Sequence, residues 1–324
     1  MADTQTNRIG WIDAAKGMGI ILVLIGHCDI PDVNQYIYIF HMPLFYIISG
    51  FCWNIGKNRS ISFKDFAKKK FNSYIIPYFK IALICFVVLG IGGNLLRMGF
   101  GDEYRTQLLK YIFGIAIYSR GTTEWLPSCS PIWFLTALFF AELIFYWIMK
   151  QSRPIVFVAI AGILGFLCYL CGKVFPWNID NALTAIPYLY VGTIARKYWS
   201  IISSVRYLPI MLLACSLIFF FGLLGGDYDG NYLADIHIRG LEAIVISLCL
   251  LSVTCIGGRY LLLSKYLGRN TLVLFGYNYA INACLHFVFP SIDHSWIMAA
   301  IVVLCGFVLV LIVNRFNVIK KILI

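Results

Sequence analysis

Residues 11–27 read WIDAAKGMGIILVLIGH, and residues 36–51 read YIYIFHMPLFYIISGF. Both are apolar enough to enter a bilayer, yet the first carries Asp13, Lys16 and His27 and the second His41 and Pro43. Ionisable groups at membrane depth are costly and usually face a bundle interior or a cavity. At ~100° per residue, Lys16 and His27 fall within about 20° of each other, and Asp13 within about 60° of both. One face of one helix therefore carries all three, with roughly 16 Å along the axis between Lys16 and His27. Asp13 and Lys16, three residues apart, are expected to pair. Gly19 and Gly26 form a separate small-residue stripe suited to a close helix neighbour.

The rest of the chain has the same character. Its 324 residues are 60% hydrophobic and only 13% charged, about half the charge of a soluble domain. Soluble, disordered, fibrous and disulfide-scaffold classes are excluded. Ten apolar segments are predicted, at 11–28, 36–55, 74–96, 132–149, 155–172, 181–196, 206–225, 240–257, 271–289 and 296–314. A short helix is predicted at 104–117, and Lys64–Lys70 reads as a separate interfacial piece. The expected architecture is all-α: one polytopic transmembrane domain over 1–324, with no soluble domain and no cleavable leader.

The connection between the first two spans is short, so they are antiparallel neighbours, with His27 and His41 at similar depth. Pro43 frees a backbone carbonyl, as at bends over cavities. Glu142 is the only acid in PIWFLTALFFAELIFY, residues 131–146, which also holds Trp133. The ninth span carries Tyr277, Asn278 and Asn282. Glu242, after Asp235, His237 and Arg239, reads as a rim cluster or an ordinary helix entry, and Lys80 as a snorkelling interfacial residue. The eleven cysteines are spread along apolar runs and read as buried small hydrophobes. No metal site is expected.

The stretch from Asp13 to Phe51 resembles the acyltransferase-3 family, ten-span membrane acyltransferases that modify glycans, and in particular its fucose 4-O-acetylase-like branch. The family pattern of a basic residue, ten intervening residues and a histidine reads Lys16-GMGIILVLIG-His27, with Lys where many members have Arg. FHMPLFYIISGF, holding His41, is similar to the second-span signature. WFLTALFFAEL, with Trp133 and Glu142, is similar to a later segment, more loosely. The resemblance implies transfer of an acyl group, usually acetyl, from cytoplasmic acyl-CoA to a hydroxyl of a carbohydrate or lipid-linked glycan in the cell envelope. It also implies that His27 and the residue matching Lys16 are essential. His27 would act as general base or as covalent acyl carrier, with Asp13 and Lys16 as further catalytic candidates on the same helix face. His41, Tyr277 and Asn278 are candidate oxyanion donors. Trp133 and Glu142 are candidate substrate contacts. Lys16, Arg8, Lys57, Arg59 and Lys68–Lys70 are available to the phosphates of CoA. The partners implied are acetyl-CoA, a glycan and membrane lipids, with no nucleic acid. A secondary transporter or flippase for a glycan or small anion is the alternative, since it also uses intramembrane ionisable groups. No internal repeat supports it.

Basic residues divide unevenly between the two sets of loops. Eighteen of the 26 lie on the side of both termini and six on the other, with Lys16 and Lys80 inside spans. That bias puts both termini in the cytoplasm of a multi-pass protein of the cell membrane, expected to be a bacterial inner membrane. Reporter fusions at either end should read cytoplasmic. A C-terminal fusion reading the opposite side would mean an odd number of spans.

Overall fold

The computed structural model describes residues 9–31, 33–122, 124–204, 239–258, 260–292 and 294–323. The protein is an all-α polytopic membrane protein. Nine of the ten predicted segments are helical: α1 (Gly10–Gly26), α2 (Asn34–Phe51), α3 (Phe63–Arg97), α4 (Trp133–Ile148), α5 (Pro154–Leu170), α6 (Ile179–Lys197), α7 (Gly240–Gly257), α8 (Thr271–Val288) and α9 (Trp296–Arg315). The predicted span 206–225 lies outside the described residues, as do Arg8, Asp235 and His237. Among the described residues, five helices are long and apolar enough to cross a membrane: α3, α7, α8, α9 and Ser130–Ile148, which contains α4.

α1 is the central element. It packs against α2, α7, α8, α9 and a short helix, Leu262–Gly268. The contact with the short helix is at backbone distance. A Cβ on Gly17 would lie 1.8 Å from the Ser264 carbonyl oxygen, and one on Gly268 would lie 1.8 Å from that of Asp13. Ser264 Oγ donates to the Ala14 carbonyl at 2.8 Å. Gly19 and Gly26 lie against Leu44, Phe45, Ile37 and Tyr38 of α2, so the predicted stripe is the α1–α2 seam. α2 also packs on α6, which in turn contacts α4 and α5.

α3 differs from its predicted bounds. It begins not at 74 but at Phe63, where Ser62 Oγ accepts from the Asp65 N–H at 3.1 Å as an N-cap. The basic piece Lys64–Lys70 is thus helical and continuous with the span. A π turn at Phe71–Ile75 joins the two parts, and Pro77 follows directly, where the ladder is already shifted. The short helix predicted at 104–117 is Asp102–Phe113, continued by a π turn to Tyr118. Lys80 donates to the Lys321 carbonyl at 2.8 Å at an exposed site, in keeping with an interfacial role. Glu242 forms a two-point pair with Arg239, at 2.8 and 3.0 Å. Glu242 stands in the first turn of α7; the rest of the predicted cluster, Asp235 and His237, lies outside the described residues.

Candidate active site

Two cavities flank α1, one at each end. The larger, about 720 Å³, lies at the N-terminal end and takes in Asp13 and Lys16. The smaller, about 180 Å³, takes in His27 and His41. Phe275 of α8 lines both. Its ring packs on that of Phe134, centroids 5.4 Å apart, and Phe134 packs on Phe45 at 6.1 Å. The ionisable face of α1 therefore runs from one cavity to the other, and an aromatic partition separates them.

The larger cavity has a strong excess of positive charge. Lys16, Lys57, Lys69, Lys70, Arg196 and Arg269 line it, against Asp13 and Glu142. Both carboxylates are already engaged. Asp13 pairs with Arg269 Nε at 3.2 Å, so the expected Asp13–Lys16 pair is not formed. Ion pairing three residues apart on one helix is worth only a few tenths of a kcal/mol, and Gly268 brings the chain before Arg269 onto the Asp13 backbone instead. Lys16 makes no hydrogen bond or ion pair with any described residue. Glu142 is 1% exposed and forms a salt bridge with Lys70. It also accepts from Ser49 Oγ at 2.6 Å and the Tyr74 hydroxyl at 3.1 Å. Lys70 and Tyr74, four residues apart on α3, reach the same carboxylate. Arg196 donates to the carbonyls of Phe51 and Trp53 at 3.2 and 3.4 Å, closing the end of α2.

Among the described residues the smaller cavity has no formally charged lining; Trp133, Tyr38, Tyr279 and Ser130 also line it. His27 follows the last turn of α1, and its carbonyl accepts from Asn282 Nδ2 of α8 at 3.0 Å. Its Nδ1 lies 3.1 Å from the Tyr38 hydroxyl. No described residue hydrogen-bonds Nε2. The Tyr279 ring lies 4.8 Å away and that of His41 6.5 Å, nearly perpendicular. His41 Nδ1 contacts the Ile37 carbonyl at 3.0 Å. A carbonyl only accepts, so His41 holds its proton on Nδ1. Ser130 is 2% exposed, and its hydroxyl has no hydrogen-bond partner among the described residues.

A buried ion pair holds the far wall of this cavity. Arg120 meets Asp180 at 2.7 Å, both nearly buried, and Asp180 also accepts from the Phe175 N–H at 3.2 Å. Asn178 Nδ2 donates to the Ser119 carbonyl at 2.5 Å and to Thr136 at 3.0 Å. These contacts press Gly121 against the Trp133 ring, where a Cβ would lie 2.4 Å from the indole.

Of the candidates from the sequence, His27, His41 and Trp133 meet in the smaller cavity, and Asp13, Lys16 and Glu142 in the larger. Tyr277 and Asn278 line neither. The Tyr277 hydroxyl donates to the Leu323 carbonyl at 3.2 Å, and Asn278 is buried beside Asn282, 3.4 Å away. For Tyr277 the reason is helical phase. Phe275, Tyr279 and Asn282 share the face turned to α1, and Tyr277 falls opposite, at ~200° from Phe275. The residues not anticipated are Tyr38, Tyr279, Phe275, Ser130, Arg269 and the Arg120–Asp180 pair. Tyr38 stands three residues before His41 and shares its face, a signal the sequence did contain. Nothing in the sequence couples Arg120 to Asp180.

Residues 9–315 match the model of a family described as an acyltransferase domain. No curated protein matches the chain, and no solved structure does.

Removing one partner of a buried pair leaves the other charge uncompensated, at about 3–5 kcal/mol. Arg120→Ala should therefore lower the melting temperature of the detergent-purified protein markedly, while Arg105→Ala, in an exposed pair, should leave it unchanged. Equal melting curves would mean the pair does not hold the wall.

Proposed function

The chain belongs to the acyltransferase-3 family of membrane acyltransferases, and from that premise we propose that it is an O-acetyltransferase acting on a cell-surface or lipid-linked glycan. The observation that carries the reading is that the cavity of His27, whose Nε2 no described residue engages, and a cation-lined cavity are both lined by Phe275. The donor is acyl-CoA, taken up in the larger cavity from the cytoplasm, the side on which the basic loops place the N-terminal end of α1. Its phosphates face Lys16, Lys57 and Lys69, none of which has an ion pair among the described residues. Lys70 and Arg196 sit beside them. An ammonium serves a phosphate as a point charge. The acyl arm passes Phe275 to reach His27.

In the smaller cavity, Nε2 of His27 takes the proton of the acceptor hydroxyl as its oxygen attacks the thioester carbonyl. The new C–O bond forms, the carbonyl electrons move to oxygen, and the tetrahedral species collapses with loss of the C–S bond. The proton passes from imidazolium to the leaving thiolate, giving free CoA and the ester. The Ser130 hydroxyl, buried without a partner in the same cavity, suits the developing oxyanion. The rings of Trp133 and Tyr279 offer flat apolar walls to a sugar. A small, uncharged cavity favours acetyl over succinyl, whose carboxylate would be buried without a cation. The acceptor is reached from the opposite side of the cell membrane.

Purified protein given acetyl-CoA and a glycan extract should release CoA and form an ester. His27→Ala should insert and fold but lose ~10²–10⁴ in rate; more than a tenth of wild-type turnover would remove His27 from the chemistry. Acetyl on the protein after incubation with acetyl-CoA alone would make His27 a covalent carrier instead of a base.

Lys16 has a separate outcome. Since Asp13 pairs with Arg269, Lys16→Ala strands no carboxylate and should fold. It should weaken CoA binding by roughly tenfold or more, the worth of a hydrogen bond to a charged group, while Lys16→Arg stays within a few-fold. Unchanged CoA affinity in Lys16→Ala, measured by titration, would move Lys16 off the donor.

A further inference from the structure

His27 is held by a specific acceptor. The Tyr38 hydroxyl lies 2.8 Å from the Gly26 carbonyl oxygen and 3.1 Å from His27 Nδ1. A phenol has one proton and a carbonyl has none, so the 2.8 Å contact uses the phenolic proton. The phenol oxygen can then meet Nδ1 only as an acceptor, and Nδ1 must carry the imidazole proton. In neutral histidine only one ring nitrogen is protonated. Nε2, which no described residue engages, is left with its lone pair.

Two further contacts fix the same geometry. A Cβ on Gly26 would lie 3.2 Å from Tyr38 Cε1 and 3.0 Å from Ile37, so the bare glycine lets the phenol lie against the end of α1. Asn282 holds the His27 carbonyl at 3.0 Å, which limits rotation of the residue carrying the ring. Tyr38 thus touches both the backbone just before His27 and its ring.

We propose that Tyr38 is a positioning residue that selects the Nδ1–H tautomer of His27 and so makes Nε2 the atom that accepts the substrate proton. The assignment rests on the reading of His27 as general base. In that step the acceptor O–H proton moves to Nε2, giving an imidazolium whose Nδ1–H stays on the phenol oxygen. When Nε2 returns its proton to the thiolate, the same tautomer is regenerated. The logic is that of the carboxylate behind a serine-protease histidine, whose loss leaves the wrong tautomer and costs ~10⁴ in kcat. A neutral phenol stabilises the imidazolium less, so a smaller loss is expected.

The direct test is ¹⁵N NMR of protein labelled at its five histidines, with the His27 signals identified by their absence in His27→Gln. In wild type, Nδ1 should resonate as a protonated nitrogen and Nε2 as an unprotonated one. In Tyr38→Phe, which keeps the ring, the proton should redistribute toward Nε2. kcat for acetyl transfer should fall by roughly 10–100-fold, with KM for acetyl-CoA changed less than about threefold, inside the general-base range. A wild-type spectrum with the proton on Nε2 overturns the proposal. So does a Tyr38→Phe protein whose spectrum or kcat equals wild type. If Tyr38→Phe does not fold, the wild-type spectrum decides alone. Full activity in His27→Gln would instead refute the general-base reading, a different failure from a misassigned tautomer.

Discussion

An ammonium, a carboxylate and an imidazole on one face of a membrane helix cannot lie against hydrocarbon. Each charged group at the bilayer centre costs ~2.5–3.5 kcal/mol even on the mildest scale. The arrangement around α1 answers that constraint. Four spans and the short helix Leu262–Gly268 enclose it, and two glycine contacts bring that short helix to backbone distance. Enclosure at that range carries Arg269 to Asp13 and leaves Lys16 facing a cavity. The opposite end of α1 is closed by Tyr38 and Asn282, which hold the backbone and ring of His27.

From this follows a division of the molecule along the membrane normal. The end of α1 with Lys16 is wide, basic and partly polar; the end with His27 is narrow, aromatic and without formal charge. Phe275 separates them. A ligand with an anionic head and a slender arm fits that gradient better than a freely diffusing anion, which would meet no cation beyond the aromatic partition. The Glu142 cluster belongs to the basic end. There the carboxylate, on α4, gathers Lys70 and Tyr74 from α3 and Ser49 from α2 and so fixes where the start of α3 sits against α2 and α4.

The helical class and the ionisable face of α1 were legible because both depend on local quantities, apolar run length and the 3.6-residue period. The pairing of His27 with His41 was legible because a short connection forces neighbouring antiparallel helices. Three things were not. Tyr277 drew attention as a polar residue in an apolar span, but only the tertiary rotation of α8 decides that Phe275, Tyr279 and Asn282 face α1. Asp13 found Arg269, far away in sequence, because two glycines permit a backbone approach that no local rule reveals. The helical continuity of Lys64–Lys70 with α3 was not legible because the basic run breaks the apolar pattern, although the cap at Ser62 and the π turn after Lys70 make it continuous with the span.

The central claim is that one acyl donor occupies both cavities at once, head at Lys16 and acyl group at His27. A structure of the protein with a non-hydrolysable acetyl-CoA analogue tests this most directly. The phosphates should lie among Lys16, Lys57 and Lys69 and the acyl carbonyl within hydrogen-bond reach of the Ser130 hydroxyl, beside His27 Nε2, with the arm running past a displaced Phe275 ring. An analogue lying wholly in the larger cavity, its acyl end beside Glu142 and Phe275 unmoved, would contradict it.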